Sequence, residues 1–145
     1  MHKVLIPCDG SPESLAAVHH VLRLVGAGLR LRCVLVNVQE SASLYELVTA
    51  HDPAVLQRVA EQAGRDLLRP AQQLLAAAGV ACESEIVQTG EVAQALVDAA
   101  DRYSVDAIVM GAGASGLGDR VLGSVSLDLV RTAPMPVTVV RAVAG

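Results

Sequence analysis

Apolar positions recur along this chain in two alternating rhythms, short β-branched runs and longer stretches of helical period. Val4-Leu5-Ile6 is a run of the first kind and predicts a strand buried on both faces. It stops at Pro7-Cys8-Asp9-Gly10-Ser11-Pro12-Glu13, where Ser11 reads as a helix N-cap, Pro12 as the first helical position and Glu13 as the acid of the first turn. Leu15, Val18, Leu22 and Val25 then follow at helical spacing until Gly26 and Gly28 end the helix. Leu31 to Val38 reads as a second strand, and a loop from about Gln39 to Pro53 is long enough to act as a lid or interface segment.

Ala54 to Ala78 has a helical pattern in which Val55, Val59, Leu67, Leu74 and Leu75 are apolar, with Gly79 as its cap. Pro70 lies inside it, removes a backbone donor and crowds the preceding turn, so a kink or break is expected there. Cys82 to Val87 alternates weakly and predicts a third, less buried strand. Gly90 to Tyr103 is a helix with Val92, Leu96, Ala99 and Ala100 inward, and Ala107 to Met110 is a fourth strand. A glycine-rich loop, a helix from about Ser124 to Thr132 and a fifth strand, Pro136 to Val140, complete the chain. Regular strand–helix alternation without internal repeats predicts an α/β fold: one doubly wound, Rossmann-like domain over residues 1–145, with four helices around a five-stranded parallel sheet.

Composition narrows the function. The 145 residues are 52% hydrophobic and 18% charged, which excludes disorder, yet only 1% are aromatic. No apolar run reaches the roughly 20 residues of a membrane span. Met1-His2-Lys3 leads directly into the first strand, a pattern that predicts no secretory leader and no membrane partner. Net charge is −4, Lys3 is the only lysine and the arginines are scattered, so nucleic acid is not the expected partner. Cys8, Cys33 and Cys82 fit neither a disulfide framework nor metal-ligand spacing, and are expected as small buried residues in a reducing cytoplasm.

The chemistry concentrates in the stretch from Met110 to Ser126, where Gly111, Gly113, Gly116, Gly118 and Gly123 follow a buried strand and precede a helix. Bare glycine lets backbone N–H groups approach an anion, and the helix opened by Ser124 and Ser126 adds N-terminal amides and a favourable dipole. The alternative is a plain strand–helix connection with a serine cap; the density of glycine favours anion binding. Gly111-Ala112-Gly113-Ala114-Ser115-Gly116 spells G-x-G-x-x-G but lacks the acidic residue about 20 positions on that a dinucleotide fold needs. Gly118 to Ser124 resembles a P-loop with serine in place of its lysine.

Together the glycine loop, the opening from Val4 to Asp9 and the ending from Pro134 to Arg141 resemble the universal stress protein family across essentially the whole chain. Its nucleotide-binding members space a glycine, two residues, a glycine, nine residues, then glycine and Ser/Thr; Gly113, nine residues and Gly123-Ser124 fit the second part. The first glycine falls on Met110, with Gly111 the nearest substitute, so the loop is one residue shorter than the pattern. The resemblance implies strand order 3-2-1-4-5 and a homodimer through the last strand, Val137–Val140. It also implies an adenine nucleotide, ATP with AMP or ADP as alternatives, with or without Mg²⁺. Asp9 would contact adenine or ribose, Pro7 and Cys8 would line the same wall, and Val38 and Met110 would face the base. Gly111, Gly113, Gly123, Ser124, Val125 and Ser126 would hold ribose and phosphates.

Other polar residues favour plainer roles. Asp9-Gly10 also spells a turn. His19 and His20 are helix neighbours that face different directions, unlike an i, i+4 metal pair. His51 and Asp52 read as surface loop, Glu83 and Glu85 as solvated, and Arg120 as equally a phosphate contact or a free surface residue. No Ser/His/Asp or Cys/His constellation assembles. The expected function is a nucleotide-binding stress regulator or sensor with slow hydrolysis at most. Its rival is a nucleotide-free dimeric interaction module of the same fold; an adenylating enzyme finds no lysine or base to support it.

Overall fold

The computed structural model describes residues 1–39, 53–113 and 123–142. Most of the expected loop after Gln39, with His51 and Asp52, and the positions Gly116, Gly118 and Arg120 lie outside them. In chain order the elements are β1 (His2–Pro7), α1 (Pro12–Gly26), β2 (Leu31–Gln39), α2 (Pro53–Ala77), β3 (Cys82–Gln88), α3 (Val92–Arg102), β4 (Ala107–Gly111), α4 (Ser124–Thr132) and β5 (Val137–Val140). The strands form one parallel sheet in the order β3-β2-β1-β4-β5.

Strand alternation divides the apolar mass into two cores. Val4 and Ile6 of β1, Cys33 and Leu35 of β2 and Val109 of β4 pack with Ala17, Val18 and Val21 of α1 and with Leu68, Ala71 and Leu75 of α2. Leu5, Val34, Val36, Ile108 and Met110 turn to the other face, against Leu96, Ala99 and Ala100 of α3 and Leu129 of α4. The two connections β1–β2 and β2–β3 therefore cover one face and the next two cover the other. Chain direction along the sheet reverses between β1 and β4.

Local signals act as expected at α1. Ser11 Oγ accepts from the Ser14 amide at 3.2 Å, and the Ser14 hydroxyl donates back to the Ser11 carbonyl at 2.9 Å. The third strand is mostly exposed at the sheet edge. Three expectations change. First, α2 runs unbroken through Pro70; Pro70 and Asp66 both face solvent, so water can satisfy the Asp66 carbonyl that the proline leaves unpaired. Second, α2 buries Leu56, Ala60, Leu68, Ala71 and Leu75, whereas Val55 and Val59 are 42% and 54% exposed. Third, Cys82 is exposed, because it begins the edge strand beyond the cover that buries Cys8 and Cys33.

Glu83 and Glu85 take basic partners, Lys3 at 3.4 Å and Arg102 with both carboxylate oxygens at 2.7 Å. His19 is exposed and His20 half-buried.

Two stability measurements follow. Leu5→Ala, emptying a fully buried site on the α3 and α4 face of β1, should lower the unfolding free energy by about 2–5 kcal/mol in urea titration. Pro70→Ala should raise it by about 1–3 kcal/mol by restoring the hydrogen bond to residue 66; an unchanged midpoint would mean that the helix is already relaxed around the proline.

Candidate functional site

At the reversal point the connections leaving the carboxyl ends of β1 and β4 diverge, and a crevice of about 280 Å³ opens there. This is close to the lower end of the about 300–1,000 Å³ typical of small-molecule sites. All eleven residues that the family resemblance assigns to a nucleotide line it. Pro7, Cys8 and Asp9 come from the end of β1, Val38 from β2, and Met110, Gly111 and Gly113 from β4 and its exit. Gly123, Ser124, Val125 and Ser126 come from the start of α4.

The two ends of the glycine loop close on each other. Gly113 has φ +88°, and a Cβ there would stand 3.2 Å from Gly123 Cα, so an L side chain would be both strained and crowded. The Gly123 amide donates to the Ala112 carbonyl at 2.8 Å. Ser126 is buried, and its hydroxyl faces the carbonyls of Gly111 at 3.1 Å and Ala112 at 3.0 Å, to which it donates. Gly111 has a different duty: a Cβ on it would collide with the Glu13 carbonyl in the first turn of α1. Its bareness lets α1 rest directly on β4.

These bonds decide what remains for a ligand. Ser126 spends its hydroxyl proton on the fold, and Gly123 spends its amide. The amides of Ser124, Val125 and Ser126 occupy the first turn of α4, where a helix leaves its N–H groups without intrahelical partners. Gly123 supplies no side-chain cap for them. The exposed Ser124 hydroxyl adds another donor, with no partner among the described residues. A helix N-terminus with open amides suits an anion.

The opposite wall is acidic. Asp9 Oδ1 accepts from the Ser11 amide at 2.9 Å, so Asp9 does form the turn its spelling suggested. Its second carboxylate oxygen is unpaired among the described residues, and Asp9 is exposed at the crevice. Glu13 also lines the space, while no lysine, arginine or histidine does among the described residues. Burial, with the neighbouring Asp9 charge adding to it, pushes the Cys8 thiol up to about 12. Cys8 therefore stays protonated at neutral pH and serves as wall.

Sequence reasoning missed Ser11, Glu13, Ser14, Val36, Val92 and Leu96 as lining residues. The α1 residues were legible as a cap, and nothing in that spelling says that the cap also borders a cavity. Val92 and Leu96 read as core, which they are on their inner side. Asn37 was also missed: it is buried and donates to the Cys8 carbonyl at 2.8 Å, while its own carbonyl accepts from Gln39 at 2.6 Å. Its signal was a lone amide within an apolar strand. It fixes the end of β1 beside β2 and so holds the Asp9 turn in place.

Comparison with known proteins agrees with this architecture. The model of the universal stress protein family matches residues 1–141. A universal stress protein of Methanocaldococcus jannaschii is 27% identical over 140 residues, covering 96% of this chain and 81% of that protein. The crystal structure of a universal stress family protein from Burkholderia pseudomallei superposes with a TM-score of 0.72 at 29% identity, covering 95% of this chain and 94% of the other. A universal stress protein crystallised in complex with cAMP superposes at 0.66 with 26% identity, covering 98% of each chain. No helix among the described residues is long and apolar enough to cross a membrane. Carried by the whole sheet and not by the glycine loop alone, a match of this extent makes the chain a member of the universal stress protein family.

Proposed function

We propose that this protein binds an adenine nucleotide, ATP foremost, in the crevice between β1 and β4, and acts as a homodimeric regulator or sensor of stress in the cytoplasm. In this reading residues 1–145 work as one domain. The observation that carries it is the meeting, in one aliphatic-walled crevice, of the Asp9 carboxylate with the open amides of Ser124, Val125 and Ser126. Ribose hydroxyls donate to Asp9, phosphate oxygens accept from the amides and from Ser124, and the base lies between Val38 and Met110. Asp9 and Glu13 put negative charge on the same wall, so a triphosphate enters more readily with Mg²⁺ than alone. AMP and ADP ask less of that neutralisation. The cAMP-bound family member supports the nucleotide class.

One observation favours a second reading, a nucleotide-free interaction module. Gly111, Gly123 and the Ser126 hydroxyl, three of the expected phosphate contacts, already serve the protein's own packing and hydrogen bonds.

Denaturing freshly purified protein and analysing the supernatant by mass spectrometry separates the two readings. Released adenine nucleotide, and calorimetric binding of ATP–Mg²⁺, are expected. Asp9→Ala should weaken that binding about 10- to 100-fold, the loss of a hydrogen bond to a charged group, and Ser124→Ala about 2- to 10-fold. Absence of both released nucleotide and binding would leave the interaction module standing.

The dimer has its own geometric support. Carbonyls of Pro136 and Val140 accept from Ile108 of β4 and from Ala112 just after it. Strand alternation then turns the backbone groups of Val137 and Val139 outward along a free sheet edge, ready for a second copy. Val139→Pro removes one outward N–H while sparing the β4 ladder, and should shift the protein from dimer to monomer in light scattering. A wild-type monomer would refute the pairing.

A further inference from the structure

Cys33 of β2 stands in register with Cys82 of β3. In-register residues of parallel strands point to the same face. Later rungs fix which face: Ser84 Oγ accepts from Gln72 of α2 at 2.7 Å, and Ile86 packs into the core beneath α1 and α2. Neighbouring strands lie about 4.8 Å apart, inside the about 4.4–6.8 Å range of Cα pairs that disulfides bridge. The third cysteine is out of reach: the Cys8 amide meets the Val36 carbonyl, three residues beyond Cys33. At about 3.3 Å per residue that is about 10 Å up the sheet.

The pair is also asymmetric in access. Cys33 is 1% exposed, whereas Cys82 is exposed on an edge strand with no strand on its outer side among the described residues, its thiol donating to the Glu83 carbonyl at 3.3 Å. One sulfur can meet a reagent and the other is positioned only to meet its neighbour. Such an arrangement suits an entry thiol and a resolving thiol.

We propose that Cys33 and Cys82 form a thiol–disulfide exchange site that takes low-molecular-weight disulfides of the glutathione type. The Cys82 thiolate attacks one sulfur of the small disulfide; the S–S bond breaks, and the first small thiol leaves with a proton. Cys33, losing its proton, then attacks the Cys82 sulfur of the mixed disulfide and expels the second small thiol. Two protein thiols are oxidised by two electrons, and one small disulfide is reduced to two thiols.

The resulting bond is labile by geometry. In-register Cβ atoms are separated by roughly the strand spacing of about 4.8 Å, more than the about 3.8 Å that a relaxed disulfide prefers. The edge strand must be drawn inward, and a strained bond is readily reduced. Burial, with the Cys82 charge adding to it, pushes the Cys33 thiol up to about 12. Partial burial, opposed by a hydrogen bond from the Leu35 backbone and reinforced by Glu83, pushes Cys82 to about 11. Both thiols rest protonated at neutral pH, so exchange is slow and needs the disulfide in excess.

The test treats reduced full-length protein with excess oxidised glutathione, alkylates the remaining thiols and maps peptides by mass spectrometry. The expected result is loss of two hydrogens per chain, a linked peptide pair containing Cys33 and Cys82, an alkylated Cys8, and reversal by reduced glutathione. Cys82→Ser, a change at an exposed position, should abolish the link. A stable glutathione adduct on Cys82 with Cys33 still alkylatable after unfolding would overturn the proposal, as would a bond joining Cys82 of two copies. The result is independent of nucleotide binding.

Discussion

Two-sided burial of the central strands is the constraint from which the rest of the structure follows. Leu5 and Ile6 are adjacent in β1, face opposite ways and are both fully buried; Val34 and Leu35 repeat the arrangement in β2. A sheet of this kind needs helices on both faces, because apolar surface left in water forfeits about 25 cal/mol per Å². Parallel strands joined through helices reach both faces only if the chain winds outward in one direction and then in the other. The reversal leaves β1 and β4 side by side with their connections diverging. The crevice is thus a consequence of packing before any ligand is considered.

Within the crevice, backbone contact sets the geometry. Because Gly111 has no side chain, the first turn of α1 lies against the end of β4, which brings Ser11, Glu13 and Ser14 to the same opening as the start of α4. Gly113 and Gly123 then pinch the two ends of the loop together, and the Ser126 hydroxyl fastens α4 to the strand it follows. The glycines bring elements close, and the helix they bring into place offers the donors. The helix amides were legible in the sequence, but the spelling of a loop does not say which of its amides already have partners, as the Gly123 amide has in the Ala112 carbonyl.

The α1 cap was legible as a local signal, whereas the strand order and the residues bordering the crevice followed from the family resemblance across the chain. The α2 face was harder to read. Val55 and Val59 share its apolar period with Leu56 and Ala60, and only the sheet decides which of two adjacent stripes is covered. Pro70 does not break the helix, because the penalty for an interior proline depends on whether water reaches the carbonyl it strands. Cys82 and Cys33 look alike in sequence, and their different exposure follows from position within the sheet. Asn37 showed only as a lone amide within an apolar strand, and its partner is a backbone carbonyl, which no side-chain pattern encodes.

The near absence of aromatic residues has a consequence for recognition at this site. Tyr103 lies at the end of α3, where Lys3 Nζ sits 5.4 Å from its ring centre, away from the crevice. The described aliphatic walls of the crevice include Val36, Val38, Val92, Leu96 and Met110. Aliphatic walls offer a planar base burial and dispersion, without the directional preference of ring stacking, so they accept a base without choosing strongly among bases. Selectivity must then come from polar atoms, and the described ones are carboxylates on one side and amides on the other. On the proposed reading, a ligand would be held in register only if it carried hydroxyl donors toward Asp9 and an anion toward α4 at the same time. Separation of these two charges across the crevice, and not the apolar pocket between them, is what would distinguish a nucleotide from any other flat molecule of similar size.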